Sequence, residues 1–196
     1  IDLRRRHCPV AFQRAGQLLL QQLMHRALLA GLHRGALDFQ VPARTQKRER
    51  FELHQREPIV DQKTEDFDRV MAINVRGCWL GLKHVLPLMY AKKSGSVINT
   101  SSIGGLVAGP MPVSPYVTSK FAIHGMTRVV ANEAAAYQVR VNSVHPSPVN
   151  TQMMRSLEQG AGASQEAIAS AIPLGRYAES EDIANMVLFL ASEKSS

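Results

Sequence analysis

A chain of 196 residues that is 45% hydrophobic and 20% charged is long enough to bury one sizeable core. No apolar run reaches the 18 or so residues of a membrane span and no cleavable signal is evident, which argues against a membrane partner and for a cytoplasmic protein. The net charge of +7 is unevenly placed, because residues 1–57 hold ten Arg and one Lys against five acids, whereas residues 58–196 are close to neutral.

Residues 1–57 are rich in Gln, His and Leu and lack the β-branched runs expected of parallel strands. Within them, Phe12, Ala15, Leu19, Leu23, Ala27 and Ala30 mark an amphipathic or generally apolar helix from Phe12 to Leu32, and residues 42–57 read as charged loop. The run Arg4-Arg5-Arg6 has no aromatic platform or binding motif beside it, so a solvated basic tail is expected and no nucleic-acid partner. Cys8 and Cys78 show no metal spacing and read as reduced thiols. The seven His form no ligand cluster, so no metal site is expected.

From Pro58 the pattern becomes regular. Phe67, Val70, Met71, Val75, Cys78, Leu82, Val85, Leu86 and Met89 form one stripe of a helix over 64–91. Asn74 falls inside that stripe, where a carboxamide needs hydrogen-bond partners and serves as a structural bracket or as part of a polar relay. A strand over 95–101 brings Ser102 to its carboxyl end, where open α/β sheets bind ligands. Ser114 and Pro115 predict the start of a helix over 115–136, with Ser as N-cap and Pro at the first position. A strand over 138–145, a lid-like segment over 147–172 containing Gly160 and Gly162, and a helix over 180–192 complete the order. Strands alternating with helices predict an α/β fold with a parallel sheet.

Tyr116 and Lys120 are one helical turn apart on the same face. An ammonium about 4 Å from a phenol favours the phenolate by up to about 4 kcal/mol at an effective dielectric of about 20. A phenol whose ordinary pKa is about 10 then shifts towards neutrality and can act as general acid or base on an alcohol or carbonyl oxygen.

The segments Ile73-Asn-Val75, Asn99-Thr-Ser-Ser102, Tyr116-Val-Thr-Ser-Lys120, Val139-Arg-Val-Asn-Ser-Val144 and Pro146-Ser-Pro-Val-Asn-Thr151 together resemble the short-chain dehydrogenase/reductase family. Pro173-Leu-Gly-Arg176 and Glu181-Asp-Ile-Ala184 resemble its C-terminal part, and the likeness runs from about Pro58 to the end. It implies a partial Rossmann-like, doubly wound parallel sheet over residues 58–196, preceded by a non-matching basic, partly helical segment over residues 1–57. It further implies an NAD- or NADP-dependent oxidoreductase interconverting a secondary alcohol and a ketone, built as a homo-oligomer. By the same resemblance Tyr116 is the acid/base, Lys120 tunes it and holds the nicotinamide ribose, Ser102 bonds the substrate oxygen, and Asn74 anchors a water. Pro146, Val149 and Thr151 match positions that hold the nicotinamide end of the cofactor.

Two departures stand beside the likeness. Ser147 occupies a position where the family usually has Gly, which crowds a close backbone approach to the cofactor. Residues 1–57 contain neither G-x-x-x-G-x-G nor G-x-G-x-x-G, the turn that presents backbone N–H groups to a pyrophosphate. That stretch is expected to come from an altered reading frame or gene start, and the resemblance implies that the chain stops before the family's last strand. The alternative reading is therefore a non-catalytic, truncated fragment of the same lineage, unable to hold the dinucleotide. Neither the substrate nor the choice between NAD and NADP is written in the sequence.

Overall fold

The computed structural model describes residues 57–109 and 111–196. The predicted helix and loop of residues 1–56 lie outside them.

Helix α1 (Thr64–Val70), a π-helical turn (Met71–Arg76) and helix α2 (Gly77–Lys92) run on without a break, and of the apolar stripe Val70, Leu82, Val85, Leu86 and Met89 are buried whereas Phe67 is exposed. The turn that departs from α geometry is the one carrying Asn74. Lys93 ends α2 in the left-handed conformation (φ 49°), and the N–H groups of Lys93 and Ser94 return to the carbonyls of Tyr90 and Met89. Strand β1 (Gly95–Thr100) follows at once and pairs in parallel with β2 (Val139–Val144), from Gly95 opposite Val139 to Thr100 opposite Val144.

The period of two along these strands assigns their faces. Val97, Val139 and Val141 point into a core with Leu82, Val85, Leu86 and Met89 of α2 and with Ala134 of helix α3 (Ser114–Ala135). The alternate residues meet the C-terminal helix. Ser96 donates to the Leu190 carbonyl at 2.8 Å, and Arg140, opposite Ser96 in the register, donates to the carbonyls of Leu190 and Ser192 at 2.8 and 3.0 Å. Helices thus cover both faces of the strand pair. That explains why Ser96 to Asn99 are buried in succession rather than alternately.

Helix α3 starts one residue earlier than the sequence suggests. Val113, not Ser114, is its N-cap, and Pro115 lies in its first turn. The Ser114 hydroxyl does not cap because it donates instead to Gln62 Oε1 at 2.9 Å. The lid-like segment holds two short helices, α4 (Gln152–Ala161) and α5 (Gln165–Ala169), with the Thr151 and Ser164 side chains accepting from backbone N–H groups as N-caps. Gly162 adopts φ 61° at the end of α4, so it serves as a helix stop. Helix α6 (Ser180–Ala191) opens with a reciprocal capping box between Glu179 and Asp182.

Candidate active site

The site begins where β1 ends. The Ser101 N–H extends the ladder by bonding the Val144 carbonyl at 2.9 Å, and its hydroxyl donates to the Lys120 carbonyl on α3 at 3.0 Å. Ser102 stays extended (φ −166°, ψ 164°) and caps the short 3-10 turn Ile103–Gly105, its Oγ accepting from the Gly104 N–H at 3.2 Å. Tyr116 and Lys120 approach from α3. The Lys120 ammonium lies 5.4 Å from the centre of the Tyr116 ring and donates to the Thr100 carbonyl at 3.3 Å, so it stands between the ring and the strand end. A Cβ placed on Gly104 would be 3.7 Å from both Ser102 Oγ and Tyr116 Cε1, so the two groups are neighbours across that glycine.

Asn74 joins through an intermediary. Its Nδ2 donates to Ser119 Oγ at 3.0 Å, and the fully buried Ser119 hydroxyl donates in turn to the Tyr116 carbonyl at 2.7 Å. The carboxamide is thereby tied to the backbone that carries the tyrosine. Beneath it, Asn99 Nδ2 donates to Thr127 Oγ1 at 2.9 Å, and Thr127 donates to the Ile123 carbonyl at 2.8 Å, so a second polar chain joins β1 to α3. Cys78 Sγ reaches Asn99 Oδ1 at 3.5 Å; burial pushes its thiol pKa up, partly offset by the charge of Lys120.

The lid closes over the tyrosine. Met154, Leu157, Ala169 and Tyr177 form an apolar cluster, and Tyr116, Met153, Ile168 and Ile172 pack against it. Burial first, then the hydrogen-bonding contact with Glu158 and the charges of Glu158 and Glu166, pushes the Tyr177 phenol up to about 12. Its hydroxyl is buried near the Glu158 carboxylate without a hydrogen bond of good geometry among the described residues.

Ser119, Ser101 and Tyr177 were not singled out by the sequence. A serine beside Lys120 reads like any small helical residue, and only the contact with Asn74, 45 positions away, gives it a role. Among the described residues no group of three or more His, Cys, Asp or Glu converges as metal ligands do, and no helix is long and apolar enough to cross a membrane.

Residues 33–196 match the family model described as enoyl-(acyl carrier protein) reductase. The chain belongs to the short-chain dehydrogenase/reductase family. It is 38% identical over 138 residues to the 3-oxoacyl-(acyl-carrier-protein) reductase FabG of Thermotoga maritima, a match covering 70% of this chain and 54% of that protein. It is 40% identical, again over 138 residues, to the trans-4-hydroxycyclohexanecarboxylate dehydrogenase of Sinomonas cyclohexanicum, covering 70% and 49%. The crystal structure of NAD+-bound xylitol dehydrogenase superposes with a TM-score of 0.64 at 31% identity, covering 70% of this chain and 58% of that one. The chain therefore shares the α/β, Rossmann-type fold of the family, and it spans about half the length of the curated relatives it matches.

Members of the family use a nicotinamide dinucleotide, and the segment after β2 can be tested for its fit to the nicotinamide end. Val149 forms an isolated parallel bridge with Ala178, in which the Ala178 N–H bonds the Pro148 carbonyl at 2.9 Å and the Asn150 N–H bonds the Ala178 carbonyl at 2.8 Å. In such a bridge the peptide groups of Val149 itself face away from Ala178 and are not used by it. Thr151 Oγ1 donates to the Val149 carbonyl at 3.2 Å and caps α4, while the Pro146 carbonyl accepts from the Ile103 N–H at 2.9 Å, beside Ser102. Ser147 is not among the residues with positive φ, so its Cβ introduces no backbone strain where the family has glycine. These residues fit the group. The stretch where the family's Gly-rich turn is expected, and in which the sequence lacks that motif, lies almost wholly outside the described residues.

Proposed function

We propose that residues 58–196 carry the site of an NAD(P)-dependent oxidoreductase that interconverts a secondary alcohol and a ketone, with residues 1–57 as a separate segment. The observation that carries this reading is the position of the Lys120 ammonium between the Tyr116 ring and the end of β1, with Ser102 beside the ring. The ammonium favours the phenolate and so lets Tyr116 take the proton of an alcohol or return it to a carbonyl oxygen. Ser102 Oγ already accepts from the Gly104 N–H, which leaves its proton for the substrate oxygen. Asn74, acting through Ser119, fixes the first turn of α3 and anchors the water of a proton relay.

Pro146, Val149 and Thr151 hold the nicotinamide end of NAD or NADP, and Lys120 holds its ribose. When bound, the cofactor supplies or receives the hydride. The apolar lid over Tyr116, built from Met153, Met154, Leu157, Ile168 and Ile172, favours a substrate with a compact apolar body. A relative named for a hydroxycyclohexane carboxylate supports an alicyclic one. Exposed apolar side chains on α2 and α3, among them Trp79, Leu88, Phe121 and Val129, support pairing of two copies. The partly buried thiol of Cys78 suits a reducing cytoplasm.

The test follows NAD(P)H absorbance with cyclic secondary alcohols and ketones. Turnover in the wild type, lost in Tyr116→Phe with the melting temperature unchanged, is the expected result. Turnover surviving that substitution removes the mechanism.

A further inference from the structure

We propose that His145, braced by His124, is a positioning residue that holds the turn bearing Ser102 against the helix bearing Tyr116 and Lys120. The proposal rests on the reading of Ser102 as the group that meets the substrate oxygen.

Three hydrogen bonds tie residues 101–103 to the chain leaving β2. The Ser101 N–H meets the Val144 carbonyl at 2.9 Å, the Ile103 N–H meets the Pro146 carbonyl at 2.9 Å, and His145 Nδ1 lies 3.0 Å from the Ser102 carbonyl between them. The middle one is made by a side chain, and it acts on Ser102 itself. The far end of the turn is held in the same way, with His124 Nδ1 at 3.2 Å from the Gly105 carbonyl. His124 stands one helical turn beyond Lys120 and two beyond Tyr116, on the same face of α3. The two imidazoles meet edge to face, 4.8 Å between centres and 74° between planes. One ring comes from the helix and one from the strand exit, and together they grip both ends of residues 102–105.

The chemistry of the partners fixes the protons. A carbonyl oxygen only accepts, so both rings carry a hydrogen on Nδ1. In the neutral His145 ring, Nε2 is then an acceptor, and it receives the Ser143 hydroxyl at 2.8 Å. A directed chain results, from the Ser143 hydroxyl through the ring to the Ser102 carbonyl. Without the ring, the Ser102 carbonyl keeps, among the described residues, only its bond from the Gly105 N–H at 2.8 Å, and the Ser143 hydroxyl loses this acceptor. The Ser102 hydroxyl is oriented by the Gly104 N–H of the same turn, so loosening the turn displaces the hydroxyl too.

The experiment uses the full chain in three readouts. Two-bond 1H–15N correlation on histidine-labelled protein is expected to show His145 and His124 with the proton on Nδ1; a proton on Nε2 alone at His145 overturns the proposal. His145→Ala is expected to lower kcat about 10- to 100-fold while KM stays within about threefold. Amide exchange at Ile103 and Gly105 should then quicken by about tenfold. His145→Asn places an amide donor near the lost Nδ1 and should restore both to within about threefold of the wild type. If Asn is no better than Ala, the ring merely fills space and the proposal falls. A chain that shows no turnover refutes the oxidoreductase reading, and the tautomer and exchange measurements then decide the role of His145 on their own.

Discussion

Gly105 closes the turn after Ser102 directly against α3, and replacing it by alanine tests how rigid that contact is. An added Cβ would stand 2.8 Å from the Lys120 carbonyl oxygen and 2.9 Å from its carbon, and it would also meet Ser101 Oγ. None of these atoms is the far end of a flexible side chain, and Ser101 Oγ is itself bonded to the Lys120 carbonyl at 3.0 Å. Turn and helix must therefore separate. Overpacking of this kind costs about 1–3 kcal/mol, and the strained Ser101–Lys120 hydrogen bond adds about 0.5–1.5 kcal/mol. A loss of about 1.5–4.5 kcal/mol lowers the melting temperature of a chain this size by roughly 3–18 °C. Circular dichroism melts and urea titrations read it. Gly125→Ala is the control, because its Cβ meets nothing within 4 Å and lies in a helix interior, where alanine gains about 0.5–1 kcal/mol over glycine. A Gly105→Ala chain that melts within about 1 °C of the wild type refutes the claim that the Ser102 turn is fixed against α3.

Ser119→Ala removes the acceptor of Asn74 Nδ2 and should cost about 1–2 kcal/mol in urea unfolding; a change below about 0.5 kcal/mol means that Asn74 is not held there. Tyr177→Phe deletes a buried hydroxyl whose contact with Glu158 falls short of a well-formed hydrogen bond, so stability at neutral pH should be unchanged or higher. Because the Tyr177 phenol is raised from 10.0 to about 12 in the folded chain, stability falls as pH rises from 10 through 12, a loss that Tyr177→Phe escapes. Phenolate absorbance should accordingly show a tyrosine titrating near 12 that is missing from Tyr177→Phe, while Tyr90, also raised by burial, still titrates late in both. The Asp182 carboxyl is held below its ordinary value of 3.8 by the Glu179 backbone N–H and the Arg176 guanidinium. Its contribution is therefore present above that value and lost as pH falls through the lower one. The melting difference between wild type and Asp182→Asn should be seen at neutral pH and vanish in acid; a difference that persists at low pH contradicts the assignment.

The parts of the fold that follow from local pattern were legible in advance. The apolar stripe marked the long helix, and the i, i+4 spacing put Tyr116 and Lys120 on one face. A stripe cannot register the π-helical turn at Met71–Arg76, since a local widening leaves the run of apolar residues intact. Ser114 has the chemistry of a cap, but its hydroxyl is claimed by Gln62, 52 residues away, a contact that no local rule contains. The lid helices had signals that could have found them, in Thr151 and Ser164 as N-caps and Gly162 as a stop. His145 had none: its importance comes from the carbonyl of Ser102, 43 positions earlier, which the parallel pairing of β1 and β2 brings beside it.

The oxidoreductase reading is tested most directly by a calorimetric titration of the purified, monodisperse full chain with NADH and then NADPH. It predicts micromolar binding of one of them, which also reveals the preferred cofactor. No binding by a folded sample contradicts it, leaving Ser102, Tyr116 and Lys120 as an inherited arrangement in a non-catalytic chain.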